Sequence, residues 1–114
     1  MSETYVEIYG LPEGWRTIDY ADSICGYEWD EVHVMRGPDG HLYVGSDAGC
    51  SCSWFGVDGD SSWERVASWQ KAADFIKEWI AEEPGPRTDV GMNLIERLRE
   101  TRPVAHLDVD PRTH

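Results

Sequence analysis

The chain has 114 residues, 40% of them hydrophobic, with 6 Trp, 5 Tyr and 2 Phe, and a formal net charge of -12 from 22 acidic and 10 basic residues. One compact domain accommodates that length, and the aromatic content excludes a disordered chain despite the charge. The charge excludes direct binding of nucleic acid phosphates or anionic lipid, and no apolar run approaches the ~20 residues of a membrane span.

Taken in chain order, Thr4 to Gly10 (TYVEIYG) alternates loosely and is rich in β-formers, which predicts a first strand. A long connection follows, opened by the turn chemistry of Leu11-Pro12-Glu13-Gly14 and pinned to the body by Trp15, Ile18 and Tyr20. Val32 to Ser46 predicts a hairpin. Gly37-Pro38-Asp39-Gly40-His41 suits a type I turn with Gly40 in the left-handed region, which pairs Gly37 with His41. Val34 then lies opposite Val44, Val32 opposite Ser46, and Met35 opposite Tyr43. Val32, Val34, Leu42 and Val44 form the core face, with His33, Met35, His41 and Tyr43 on the other.

Ser46 to Phe55 (SDAGCSCSWF) reads as a tight crossover of small residues, with Trp54 and Phe55 anchoring its exit. Glu64 to Ser68 supplies a short strand, and Ser68 caps a helix over Trp69 to Glu83. Its stripe is Trp69, Ala72, Ala73, Ile76, Trp79 and Ile80, and Pro84-Gly85-Pro86 stops it. A second helix starts after Thr88 or Asp89 and ends before Pro103, with Leu94, Ile95 and Leu98 inward and Gly91 weakening its first turn. The tail, residues 104–114, forms a short edge strand at Ala105, Leu107 and Val109 or frays. The expected fold class is α+β: a single domain over residues 1–103, with a small antiparallel sheet of three to four strands packed against one or two helices.

Candidate chemistry is sparse. Cys50 and Cys52, with Cys25 and either His33 or His41, make up a four-ligand zinc set on paper. The one-residue spacing is poor for it, because an extended Cys-x-Cys points its sulfurs to opposite faces. A Cys50–Cys52 bridge would close a small strained ring, and small buried thiols are the plainer reading. A thiol nucleophile assembled from Asp47, Cys50 and a hairpin histidine is opposed by the surrounding negative charge, which raises a thiol pKa. Ala48-Gly49 lacks the cations an anion nest would want. No phosphate loop, dinucleotide fingerprint or Ser-His-Asp spacing is present, so neither catalysis nor a cofactor is expected.

The acidic imbalance is concentrated. Residues 1–68 hold 13 acids and 3 bases, whereas residues 69–114 hold 9 acids and 7 bases. Within the first part, Tyr27, Glu28, Trp29, Asp30 and Glu31 interleave aromatics with carboxylates, which suits a protein-binding edge, unless Tyr27 and Trp29 face the core. The expected function is therefore a non-enzymatic acidic protein that binds a basic protein surface, with DNA mimicry as its sharper form. A zinc-stabilised module is the alternative. The odd cysteine count and acidic N-terminus favour the cytoplasm.

Through Gly26 to Val32 (GYEWDEV), then Gly37 to Phe55 (GPDGHLYVGSDAGCSCSWF) and Ser68 to Ile76 (SWQKAADFI), the chain resembles a family of small uncharacterised proteins from actinobacteria and their bacteriophages. The resemblance spans roughly Gly26 to Ile80 and is most specific at the Gly-Cys-Ser-Cys motif, Gly49 to Cys52. It implies an accessory protein, plausible in a phage, whose partner is a host component.

Overall fold

The computed structural model describes residues 3–24, 28–50, 52–57 and 62–107. Four antiparallel strands lie side by side in sequence order: β1 (Arg16–Asp22), β2 (Glu28–Arg36), β3 (Leu42–Cys50) and β4 (Glu64–Arg65). Two helices follow, α1 (Trp69–Glu82) and α2 (Pro86–Thr101). The α+β expectation holds, as a four-stranded antiparallel sheet packed against two helices.

The β2–β3 hairpin has the expected register, with Val34 opposite Val44, Val32 opposite Ser46 and Met35 opposite Tyr43. Gly40, at φ 81°, takes the left-handed position, and Gly37 N–H donates to His41 O at 3.0 Å. The hairpin is longer than its apolar residues suggest. Pairing continues to Glu28 opposite Cys50, so Ser46 to Cys50 is strand and not the expected crossover.

The first strand is also displaced. Within Thr4–Gly10 only Val6 bridges to the sheet, at Thr17, whereas β1 occupies the stretch expected as a connection. A register shift between Thr17 and Asp19 breaks the alternation of β1, which conceals the strand from a period-two reading. Trp15 nonetheless pins the approach, edge-on to Tyr43 and Trp63 at 4.6 and 4.8 Å.

One face of the sheet carries Ala21, Val32, Val34, Leu42 and Val44, buried beneath Ala72, Ala73, Ile76 and Trp79 of α1 and Leu94, Ile95 and Leu98 of α2. Ser68 Oγ caps α1 by accepting from Lys71 N–H at 3.2 Å. Helix α2 starts three to four residues earlier than expected, because Pro86 sits in its first turn, where the missing N–H costs nothing. Gly91 is buried where a Cβ would lie 2.6 Å from two Ile80 carbons, so the residue that weakens the helix admits the close approach of α1.

The opposite face is covered as well. Rings from three strands and from the segments before β1 and between β3 and β4 run across it: Tyr43, Trp15, Trp63, Phe55, His33 and Tyr20, each touching the next at centroid separations of 3.6 to 5.8 Å. His33 and Met35, expected on the face away from the core, are fully buried beneath this second layer. Beside the hairpin turn, Leu42 N–H donates to Ala105 O and Leu107 N–H to Gly40 O, so the start of the tail docks as a short bridge. Val109 lies outside the described residues.

Candidate functional site

The predicted binding edge divides when placed on the fold. Tyr27 lies outside the described residues, and Glu28 is exposed. Asp30 points to the helical side and is occupied: Arg87 of α2 grips both its oxygens, at 2.6 and 3.0 Å, and Ser23 Oγ donates to one of them. Asp30 therefore staples α2 to the sheet and does not stand free to meet a partner.

Trp29 and Glu31 point to the other side. The Trp29 ring lies over Gly49, where a Cβ would fall 2.7 Å from its Cζ2. Its indole N–H is shared between Cys50 O at 2.8 Å and Ser53 O at 3.1 Å. The ring is thus fixed, half-buried, between two surface cavities, so neither the core nor a free edge describes it fully.

Glu31 accepts from His33 Nε2 at 2.7 Å, and His33 Nδ1 meets Thr17 Oγ1 at 2.9 Å. Burial holds the His33 pKa down at about 3, against the raising influence of Asp22, Asp47 and Asp19. The ring is then neutral at pH 7. An Nε2–H tautomer satisfies both contacts, with Thr17 donating to Nδ1, so the His33–Glu31 contact is a hydrogen bond and not an ion pair. Asp22 lies beside Glu31, with Oδ1 buried and receiving no hydrogen bond. Burial first, then the Glu31 charge and a shared hydrogen bond, push Asp22 up to about 6. Burial and the charges of Asp47 and Asp30 raise Glu31 too, while the hydrogen bond from Asp22 opposes them. Of the two carboxyls, Asp22 takes up a proton first as pH falls.

Thr17, His33 and Glu31 have the atom sequence of a proton relay. Thr17 and His33 are both fully buried, however, and His33 is sandwiched between Phe55 and Tyr20. No substrate can reach the hydroxyl, and the chain is a satisfied polar filament within the second core.

The zinc set is not brought together. His33 has both nitrogens engaged, and His41 sits at the hairpin turn against His106, roughly 30 Å of strand from Cys50. Cys25 lies outside the described residues. Among the described residues no group of three or more His, Cys, Asp or Glu converges for a metal. Cys50 and Cys52 do meet, with Sγ atoms 2.7 Å apart and both residues exposed. The sulfurs converge because a turn, closed by Ser53 N–H on Cys50 O at 3.1 Å, replaces the extended geometry expected of Cys-x-Cys.

The feature with binding character is a cavity of 270 Å³ lined by Glu7, Ile8, Tyr9, Tyr20, Trp29, Glu31, Ser53, Trp54 and Phe55. Five aromatic walls and two carboxylates line it, and among the described residues no Lys, Arg or His does. Its rim continues into an exposed apolar patch of Tyr9, Trp54 and Val57, which are 76%, 56% and 50% exposed. Trp54, expected as an anchor, faces solvent, and Phe55 alone is buried. Glu7, Tyr9 and Trp54 were absent from the predicted site. A glycine close to each exposed ring, Gly10 and Gly56, was the available signal, since both take positive φ and bring the two segments together.

Comparison with known proteins returns no matching family model, no matching curated protein and no matching solved structure. Among the described residues no helix is long and apolar enough to cross a membrane.

Proposed function

We propose that this is a non-enzymatic, cytoplasmic binding protein that docks a basic surface of a partner protein, with one Lys or Arg side chain entering the cavity between Glu7 and Glu31. The observation that carries the reading is the composition of that cavity: aromatic faces and carboxylates, with no cation among the described residues to balance them. Aromatic faces attract a cation through their quadrupole, by about 2 kcal/mol when the contact is desolvated. The volume lies below the range typical of drug-sized sites and suits a single long side chain. Exposed Tyr9, Trp54 and Val57 provide apolar area around the entry, and the acidic first half of the chain speeds the encounter.

This reading is narrower than phosphate mimicry. Asp19, Asp30 and Glu3 are held by Arg97, Arg87 and Arg36, so they are not free to stand in for a phosphate row. It accords with the host component that the actinobacterial and phage resemblance implies.

The test is calorimetric titration with a short Arg-rich peptide and with an acidic peptide of equal length. Trp54→Ala and Glu7→Gln should each weaken the Arg-rich peptide, Trp54→Ala by about thirtyfold if the full ~2 kcal/mol is lost. Glu100→Gln, on the exposed side of α2, should leave it unchanged. Equal weakening by Glu7→Gln and Glu100→Gln, with Trp54→Ala binding like wild type, would reduce the binding to net charge and remove the cavity from the mechanism.

A further inference from the structure

The Gly-Cys-Ser-Cys motif takes no part in that binding reading. We propose that Cys50 and Cys52 form a redox-active dithiol that is oxidised to an intramolecular disulfide by low-molecular-weight disulfides. Geometry carries this. Strand β3 ends at Cys50, and the turn to Ser53 folds back so that the two Sγ atoms stand 2.7 Å apart at the surface.

The turn is braced from outside. One indole N–H, from Trp29, holds the carbonyls of both Cys50 and Ser53, and Gly49 leaves the space in which that ring lies. Among the described residues no third ligand converges on the pair.

The exchange runs in two displacements. The Cys50 thiolate attacks one sulfur of the oxidant RSSR, forming a Cys50–S–S–R mixed disulfide and expelling RS⁻, which takes up the proton lost by Cys50. Cys52 then loses its proton and attacks Cys50 Sγ, forming the Cys50–Cys52 bond and expelling the second RS⁻, which is protonated in turn. The dithiol has given two electrons and two protons to RSSR, leaving two RSH. The order follows from the hydrogen bond between the thiols. Donation from Cys52 lowers the Cys50 pKa, against an opposing charge on Glu28, while Cys52 is raised by the same contact. Cys50 is the attacking thiol and Cys52 the resolving one. In a reducing cytoplasm the pair rests as thiols and forms the bond only under oxidation.

The test uses the reduced full-length chain and oxidised glutathione, with acid-quenched intact mass and peptide mapping. Wild type and Cys25→Ser should both lose two hydrogens without a lasting adduct, with the bond mapped between Cys50 and Cys52. Cys52→Ser should stop at a stable glutathione adduct on Cys50 and Cys50→Ser at one on Cys52, neither losing the two hydrogens, and early quenching of wild type should place the transient adduct on Cys50. Trp29→Phe removes the indole N–H and should prolong that transient adduct. A lasting adduct on wild type, a bond that recruits Cys25, or thiols that stay reduced where glutathione disulfide oxidises free dithiothreitol would each overturn the proposal. None of these outcomes bears on peptide binding.

Discussion

Asp30→Asn is the most informative perturbation, because Asp30 is the residue on which the sequence and structural readings part most sharply. A free carboxylate on a docking edge could lose its charge with little effect on stability. In the structure the guanidinium of Arg87 makes a two-point contact with Asp30, at 2.6 and 3.0 Å, while Arg87 Nη1 donates to Trp79 O at 2.6 Å. Both side chains are largely buried, at 12% and 17% exposure, and the guanidinium lies 4.7 Å from the Trp79 ring. Asparagine keeps the shape but replaces one acceptor with a donor that faces a cation. Arg87 then keeps only the exposed carboxylates of Glu82 and Glu83, at 3.2 and 3.7 Å, and loses its one largely buried carboxylate partner, at a cost of about 2 kcal/mol. For a domain near 100 residues that corresponds to a fall in Tm on the order of 10 °C or more. Urea unfolding followed by circular dichroism would measure it, and a cycle with Arg87→Met would isolate the pair, with a coupling of ~2 kcal/mol expected. Affinity for the Arg-rich peptide should be unchanged in the folded variant. A loss below about 0.5 kcal/mol, joined to weaker peptide binding, would refute the structural role and return Asp30 to the docking surface.

The buried polar filament predicts an unusual pH response. His33 is neutral when folded, whereas the unfolded chain takes up a proton below about 6.5, so this group removes stability as pH falls from 6.5 towards 3, by about 2 kcal/mol at pH 5. Asp22 acts in the opposite sense. Its raised pKa means that the folded state binds the proton first, so its penalty is fully present above about pH 6 and is relieved as pH falls towards 3.8. Wild type should therefore show a shallow stability profile between pH 6 and 4. Asp22→Asn should raise Tm at pH 7.5 and leave a steeper loss on acidification, and an unchanged profile would disprove the pairing. Gly45→Ala should destabilise by about 2 kcal/mol, because its Cβ would enter the Trp63 ring, which is hemmed in by Trp15 and Phe55. Near-ultraviolet circular dichroism should register the displaced indole, and an unaltered spectrum with wild-type Tm would argue against the second aromatic layer.

How much was legible differs element by element. The hairpin register followed from Pro38-Asp39-Gly40 and the Val34–Val44 pair, since turn chemistry and a period of two agree over a dozen residues. The strand half from Ser46 to Cys50 was not legible, because small residues carry little β-propensity. Indoles lie over glycines here and just before: Trp29 above Gly49, and Trp63 above Gly45. Strand β1 was obscured by its own register shift, while the more strand-like Thr4–Gly10 found only one bridge. Of the predicted binding edge, Trp29 and Glu31 do line a cavity, but Glu7, Tyr9 and Trp54 joined it from two other segments.

By itself the sequence determined the two helices with their stripes, the Ser68 cap, the hairpin turn and the concentration of acid in the first half. All of these act through contacts within a few residues, where periodicity and turn preference suffice. The tertiary structure alone decided that the sheet is covered on both faces, that Asp30 belongs to Arg87, and that the sulfurs of Cys50 and Cys52 converge. Burial and pairing depend on what arrives from elsewhere in the chain. Asp30 and Arg87 are 57 residues apart, and no local pattern encodes which distant cation or ring will reach a given side chain.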